Sequence, residues 1–179
     1  MAQKMLRIIR MVLFSIFLKI VHPINVKMKG IQDLPINAEI KVINNGRIIF
    51  GKRTSAFKGV SFAANRGTIE IGDYCFFNRY CILACQDSIS IGDRCIFGPN
   101  VVIYDHDHVY NRNGFVSGEY KTNKVLIERN CWIGANVTIL RGTHIGESCV
   151  IGAGAVLQGE IPAFSVVKND RDLIIKHLV

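Results

Sequence analysis

Asp105-His106-Asp107-His108 places two imidazoles and two carboxylates in four consecutive residues. Three kinds of behaviour suit such a run. The donors could hold a metal ion, although one extended segment cannot turn all four toward a single centre. They could form a polar turn with no chemistry. Alternatively, one imidazole, whose pKa lies near neutrality, could serve as a general base that takes a proton from an attacking group and returns it to a leaving group. The choice depends on the elements that hold the run in place.

Those elements have a period of six. From Ile127 to Val156 the chain reads IERNCW, IGANVT, ILRGTH, IGESCV, IGAGAV, with isoleucine opening each unit at 127, 133, 139, 145 and 151. Gly134, Gly146 and Gly152 follow three of them, and the fifth position is small: Cys131, Val137, Thr143, Cys149 and Ala155. Neither a helix nor an ordinary strand has this period, so it marks a repeat fold. Positions 5 and 1 of adjoining units lie two residues apart and share one face of a short strand, which turns the small residue and the isoleucine inward. Positions 2 to 4 must turn, which suits Gly at 2 and Asn130 or Asn136 at 4. The same register runs through Phe50, Ile71, Phe77, Ile91, Phe97 and Ile103, with steps of 21 residues from Phe50 to Ile71 and 20 from Ile71 to Ile91. It breaks once. Residues 109–126 are polar and rich in Gly and Asn, and they read as a loop extruded from a regular scaffold, the kind of segment that carries function. The repeat ends after Val156, so the scaffold is placed at 23–158 and a tail at 159–179, with Ile161-Pro162 turning the chain out.

Cysteine usage and charge narrow the class. Cys75, Cys81, Cys95, Cys131 and Cys149 all occupy position 5, and no CxxC occurs, so they read as small apolar wedges in a reduced, intracellular core. Cys85 alone is out of register. The net charge is +8, yet residues 1–30 hold Lys4, Arg7, Arg10, Lys19, Lys27 and Lys29 with no acid. The rest is nearly balanced, which argues against a nucleic-acid surface on the repeat. Residues 1–22 form a basic apolar segment with a helix over 6–21. Its longest charge-free run, Met11 to Leu18, is too short to span a bilayer, which needs roughly 20 apolar residues. A signal peptide is weakened by the lack of a small-x-small cleavage site. Ile8, Met11 and Leu18 interrupt the basic face, leaving two readings: a helix lying in the membrane interface, or one packed on its own scaffold or on a neighbouring subunit.

Taken together, IGDYCFFNRYCILACQDSISIGDRCIFGPNVVIYDHDH (71–108) and the block 127–156 resemble the maltose and galactoside acetyltransferases of the hexapeptide-repeat family. The resemblance implies an all-β fold, a left-handed parallel β-helix of triangular, 18-residue coils. It implies a homotrimer with active sites between subunits, acetyl-CoA as donor and no metal. It places the catalytic base on His108, with Asp105 or Asp107 as a neighbour that could fix its tautomer. Asn78 matches an acceptor-binding Asn, and Cys85 stands where a sugar-contacting Asp is expected, a departure that argues against a simple galactoside or maltose acceptor. Asp105 and Tyr110 complete the expected acceptor side, with Arg112 and Tyr120 suited to stack on or hydrogen-bond a sugar. On the donor side the resemblance points to Trp132 as a wall and to Ala135 and Ala153 as small residues beside the pantetheine. A Gly-x-Pro motif is replaced by Lys168-Asn169-Asp170-Arg171; Lys168, Arg171 and Lys176 could meet CoA phosphates.

The leading expectation is therefore an O-acetyltransferase acting on a sugar or lipid-linked glycan in cell-surface polysaccharide assembly, in the cytoplasm or peripherally on the inner face of the membrane. Two other classes share the prism. A metal-dependent hydratase like the γ-type carbonic anhydrases would need an H-x4-H pair, but the partner of His144 is Cys149. A non-catalytic scaffold would have no use for the DHDH run.

Overall fold

The computed structural model describes residues 2–169. A helix over Ala2–Val21 leads into a three-sided parallel β-solenoid of about six turns, consistent with a left-handed β-helix. The first face has seven strands, from Val26–Met28 through Arg47–Phe50, Thr68–Ile71, Ser88–Ile91, Val125–Ile127 and His144–Ile145 to Glu160–Ile161. The second has six short strands, among them Phe76–Phe77, Ile96–Phe97, Trp132–Ile133 and Val150–Ile151. The third also has six, including Ser61–Asn65, Ile82–Cys85, Val102–Tyr104 and Thr138–Ile139.

Register follows the hexapeptide. Ile91 pairs with Ile127, Ile127 with Ile145, and Ile145 with Ile161, so isoleucines stack coil upon coil. Inside the wider early coils, phenylalanines fill the axis: Phe77 and Phe97 stack with centroids 4.6 Å apart, and Phe62 meets Phe77 edge-on at 5.2 Å. All six cysteines are buried and unpaired by disulfides. The five at position 5 donate to carbonyls of the next coil, as Cys131 does to Gly146 O at 3.2 Å and Cys149 to Pro162 O at 3.1 Å. The extra residues of the early coils lengthen the third face, where Ser61–Asn65 has five residues against two in Thr138–Ile139.

Two expectations need correcting. Asn130 and Asn136 do take positive φ, at 59° and 57°, but the glycines at position 2 serve another need. A Cβ on Gly134 would stand 2.7 Å from both Ala153 N and Ile151 O, so this corner tolerates only a bare backbone. The solenoid also continues past 158. Glu160–Ile161 pairs with His144–Ile145, and Val166–Val167 with Val150–Ile151. Pro162 falls in the corner between those strands, where its missing N–H interrupts no ladder. Of the tail expected at 159–179, residues 170–179 lie outside the described residues.

Gly134→Ala should lower stability by about 1–3 kcal/mol, because added volume cannot be absorbed by backbone on both sides. Urea denaturation measures this; an unchanged midpoint would mean that the coils can separate locally.

Candidate active site

The 109–126 segment is not an irregular loop. His106–Asn111 and Gly114–Thr122 form an antiparallel hairpin, entered from the third face at Tyr104 and left into the first face at Val125–Ile127. It therefore springs from the corner between those faces. The hairpin begins at His106, so the DHDH run is mostly strand rather than turn. On a strand, residues two apart share a face. His106 and His108 accordingly flank Tyr120, with ring centroids 5.2 Å and 4.9 Å from it.

The two imidazoles differ in their surroundings. Asp105 is fully buried and works as a hub at the hairpin's base. It accepts from Gln86 N at 2.8 Å, from Asp87 N at 2.7 Å and from Cys85 Sγ at 3.1 Å, and lies 2.8 Å from His106 Nδ1. Burial pushes its pKa up, but the hydrogen bonds from His106, the two backbone amides and Cys85 outweigh this and hold it below the usual carboxylate range. The ionised carboxylate orients His106 with its Nδ1–H toward Asp105 and Nε2 free. His108 is exposed, its ring between Tyr120 and Phe115.

Several expected roles change here. Cys85 and Asp105 cannot touch an acceptor, because both are buried and bonded to each other. Burial, then the Asp105 charge, drives the Cys85 thiol well above its ordinary pKa, so it remains a donor. Neither aspartate fixes the His108 tautomer: Asp105 holds His106, and Asp107 forms an ion pair with Arg141 on the next coil. That clamp and the bond from Asn123 N to Asp105 O at 2.9 Å close the base of the hairpin. Arg141 was not singled out by its sequence context; only its fit above the hairpin reveals it. Tyr110 is highly exposed on the outer part of the hairpin, open to another molecule.

The remaining expected residues sit elsewhere. Asn78, Ala135 and Ala153 occupy the corner between the second and third faces, and Trp132 projects, 57 % exposed, from the second face beside it. Asn78 Oδ1 accepts from Arg79 N at 2.8 Å. The third face separates this corner from His108, so one chain does not bring the two sets together. Lys168 is exposed just beyond the last strand; Arg171 and Lys176 lie outside the described residues. His144 is held by carboxylates, Nε2 at 2.9 Å from Glu128 and Nδ1 at 2.8 Å from Glu160, and among the described residues no group of three His, Cys, Asp or Glu is arranged to hold a metal ion.

The comparisons with known proteins fit this scaffold. Residues 124–159 match a model described as bacterial transferase hexapeptide (six repeats), and residues 68–105 match the hexapeptide repeat of succinyl-transferase. WbbJ of Escherichia coli K12, named for an O-acetyl transferase role in lipopolysaccharide biosynthesis, is 32% identical over 143 residues, 74% of this chain and 73% of its own. The chain belongs to the hexapeptide-repeat acyltransferases. A galactoside O-acetyltransferase of Lactococcus lactis is 36% identical over 103 residues, and there the chain spans 50% of the relative's length. Among solved structures, the N-acyltransferase AntD of Bacillus cereus, with dTDP and coenzyme A, shares the fold at TM-score 0.70 and 20% identity over 83% of this chain and 81% of its own. A Vibrio cholerae hexapeptide-repeat acetyltransferase with acetyl coenzyme A does so at TM-score 0.54 and 24% identity, over 73% and 64%.

Asp105→Asn would turn amide hydrogens toward existing donors and should cost about 1–3 kcal/mol near neutral pH. With the folded pKa depressed, the carboxylate's contribution is present above the ordinary value of ~3.9 and is lost as pH falls through the folded value. Urea midpoints of wild type and variant should converge in acid; a gap that persisted there would show that the carboxylate's charge is not its source.

Proposed function

We propose that the protein transfers an acetyl group from acetyl-CoA to a sugar hydroxyl of a cell-surface glycan precursor, as a homotrimer, with His108 as general base. The observation that carries this reading is the hairpin, which raises an open imidazole off the prism edge on a scaffold of acyltransferase family. A sugar hydroxyl attacks a thioester poorly at neutral pH. His108 takes its proton as the oxygen adds to the thioester carbonyl; the tetrahedral intermediate collapses, breaking the C–S bond, and His108 returns the proton to the departing CoA thiolate. A backbone N–H serves the oxyanion.

Assembly follows from the split site. The outward row of the second face is apolar from Phe76 on: Phe76, Ile96, Trp132, Val150 and Val166 follow Ser55, with Ile96, Trp132 and Val166 exposed. Such a row suits burial against a second copy. A closed three-fold ring would lay the hairpin of one chain along the second-to-third-face corner of the next, bringing His108 and Tyr110 to Asn78 and Trp132. CoA would run along that corner, beside Ala135 and Ala153, with Lys168 meeting its phosphates. WbbJ's name supports the glycan class. Because Cys85 is buried, acceptor recognition passes to Asn78 and the hairpin.

A second reading gives the base to His106, favoured by the Asp105 bond that fixes its tautomer. His108→Ala should lower kcat by roughly 10²–10⁴ while leaving the assembly intact, and His106→Ala should cost much less. CoA thiol release with a panel of nucleotide-linked and lipid-linked sugars measures both. The reverse ranking would make His106 the base; no loss in either would place proton transfer elsewhere.

A further inference from the structure

The N-terminal helix is fixed on the prism in one orientation. Leu18 and Ser15 are buried against the first coils, and Met11, Phe14 and His22 are partly covered. Ser15 Oγ accepts from Gln32 N at 3.3 Å, and Gln32 in turn bonds Gly51 O at 2.9 Å and Thr54 N at 2.8 Å. Arg7 Nε and Arg10 both reach the Asp33 carboxylate at 3.0 Å. Of the residues that blurred the amphipathic pattern, Leu18 and Met11 thus face the protein, while Ile8 stays 50 % exposed on the flank away from the stripe. What remains outside is well ordered by type. At 100° per residue, Leu6, Ile9, Leu13, Ile16, Phe17 and Ile20 fall within about 100° of arc on the side opposite Leu18. All six are large, apolar and exposed, Ile20 at 73 % and Leu6 at 70 %.

A helix on a protein surface normally turns its polar side outward, and this one turns out an unbroken apolar stripe. Ile36, just beyond the helix, is also exposed and lines a hollow with Leu6, Ile9, Leu13 and Phe17, which enlarges it. Cations flank the stripe: Lys19 on one side, Arg7 and Arg10 with their Asp33 partner on the other, Lys27 on the adjoining strand and Lys29 just past it. We infer that this face docks on an anionic lipid surface, the stripe sinking among acyl chains and the flanking cations meeting headgroups. Charge decides against a second copy as occupant. Residues 1–30 carry six Lys or Arg and no acid, and Asp33 compensates only Arg7 and Arg10, so self-association would set the remaining like charges together, whereas phosphate headgroups neutralise them. No described helix is long and apolar enough to cross a membrane, so the contact lies along the interface. The inference does not depend on which acceptor is used; it would hold a glycan acetyltransferase beside lipid-linked substrates.

The test is cosedimentation of the full chain with vesicles of phosphatidylglycerol mixed equally with phosphatidylcholine, against pure phosphatidylcholine. Wild type should bind the anionic vesicles, more weakly as salt is raised. The triple variant Leu13→Ser, Phe17→Ser, Ile20→Ser changes only exposed residues and should lose binding at least ~tenfold with its oligomeric state unchanged. Lys19→Gln with Lys27→Gln and Lys29→Gln should weaken binding to anionic vesicles alone. Absent wild-type binding, equal binding by the serine variant, or a variant that dissociates into smaller species would each overturn the inference, the last by making the stripe a subunit interface.

Discussion

Every coil of this prism lies one strand spacing, ~4.8 Å, from the next, and the rest of the structure follows from that closeness. Backbones stacked so tightly leave no room for a Cβ at Gly134, force corner residues such as Asn130 and Asn136 into positive φ, and fill the axis with isoleucine, phenylalanine and cysteine. The interior has no space for a substrate. Outside, the largest hollows flank the N-terminal helix, among Ile8, Met11, Lys52 and Tyr74 and along the apolar stripe, and neither includes His108 or Asn78. Chemistry can arise only where the chain leaves the coil or where two prisms meet, and the hairpin does the first in a way that prepares the second.

The base of the hairpin shows how a rigid scaffold supports a projecting element. Asp105 is buried at the last inward position before the departure, and its carboxylate ties the previous coil at Gln86 and Asp87 to His106. Asp107 and Arg141 tie the hairpin to the following coil. The two clamps, one below and one above, fix the angle at which His108 is offered. The corner at Ala135 and Ala153, proposed to take CoA, is equally fixed, because coil pairing sets it. In the proposed trimer, transfer across a gap between two rigid edges would need little beyond correct assembly.

The fold was legible because its constraint is local and repeated. A six-residue period survives in single residues such as Ile133, Ile139 and Ile145. The same logic hid the end of the solenoid: Val166–Val167 pairs well without isoleucine or position-2 glycine, since backbone pairing tolerates more sequences than the motif implies. The site was half legible. The DHDH run announced itself by composition, but which carboxylate reaches which imidazole depends on the path from coil to hairpin. Adjacent residues in sequence, Asp107 and His108, point to different partners. The helix was ambiguous for a similar reason, because Ile8, Met11 and Leu18 break the pattern and the prism covers two of them, Met11 and Leu18.

The central claim is that the hairpin corner of one chain and the Asn78 corner of another complete a single site. Chains carrying His108→Ala and chains carrying Asn78→Ala, each nearly inactive alone, can be unfolded, mixed equally and refolded together. If sites form between copies, random trimers should regain about a quarter of wild-type activity, since that share of interfaces pairs an intact hairpin with an intact corner. A mixture no more active than either variant alone would contradict the claim and place the whole site within one chain.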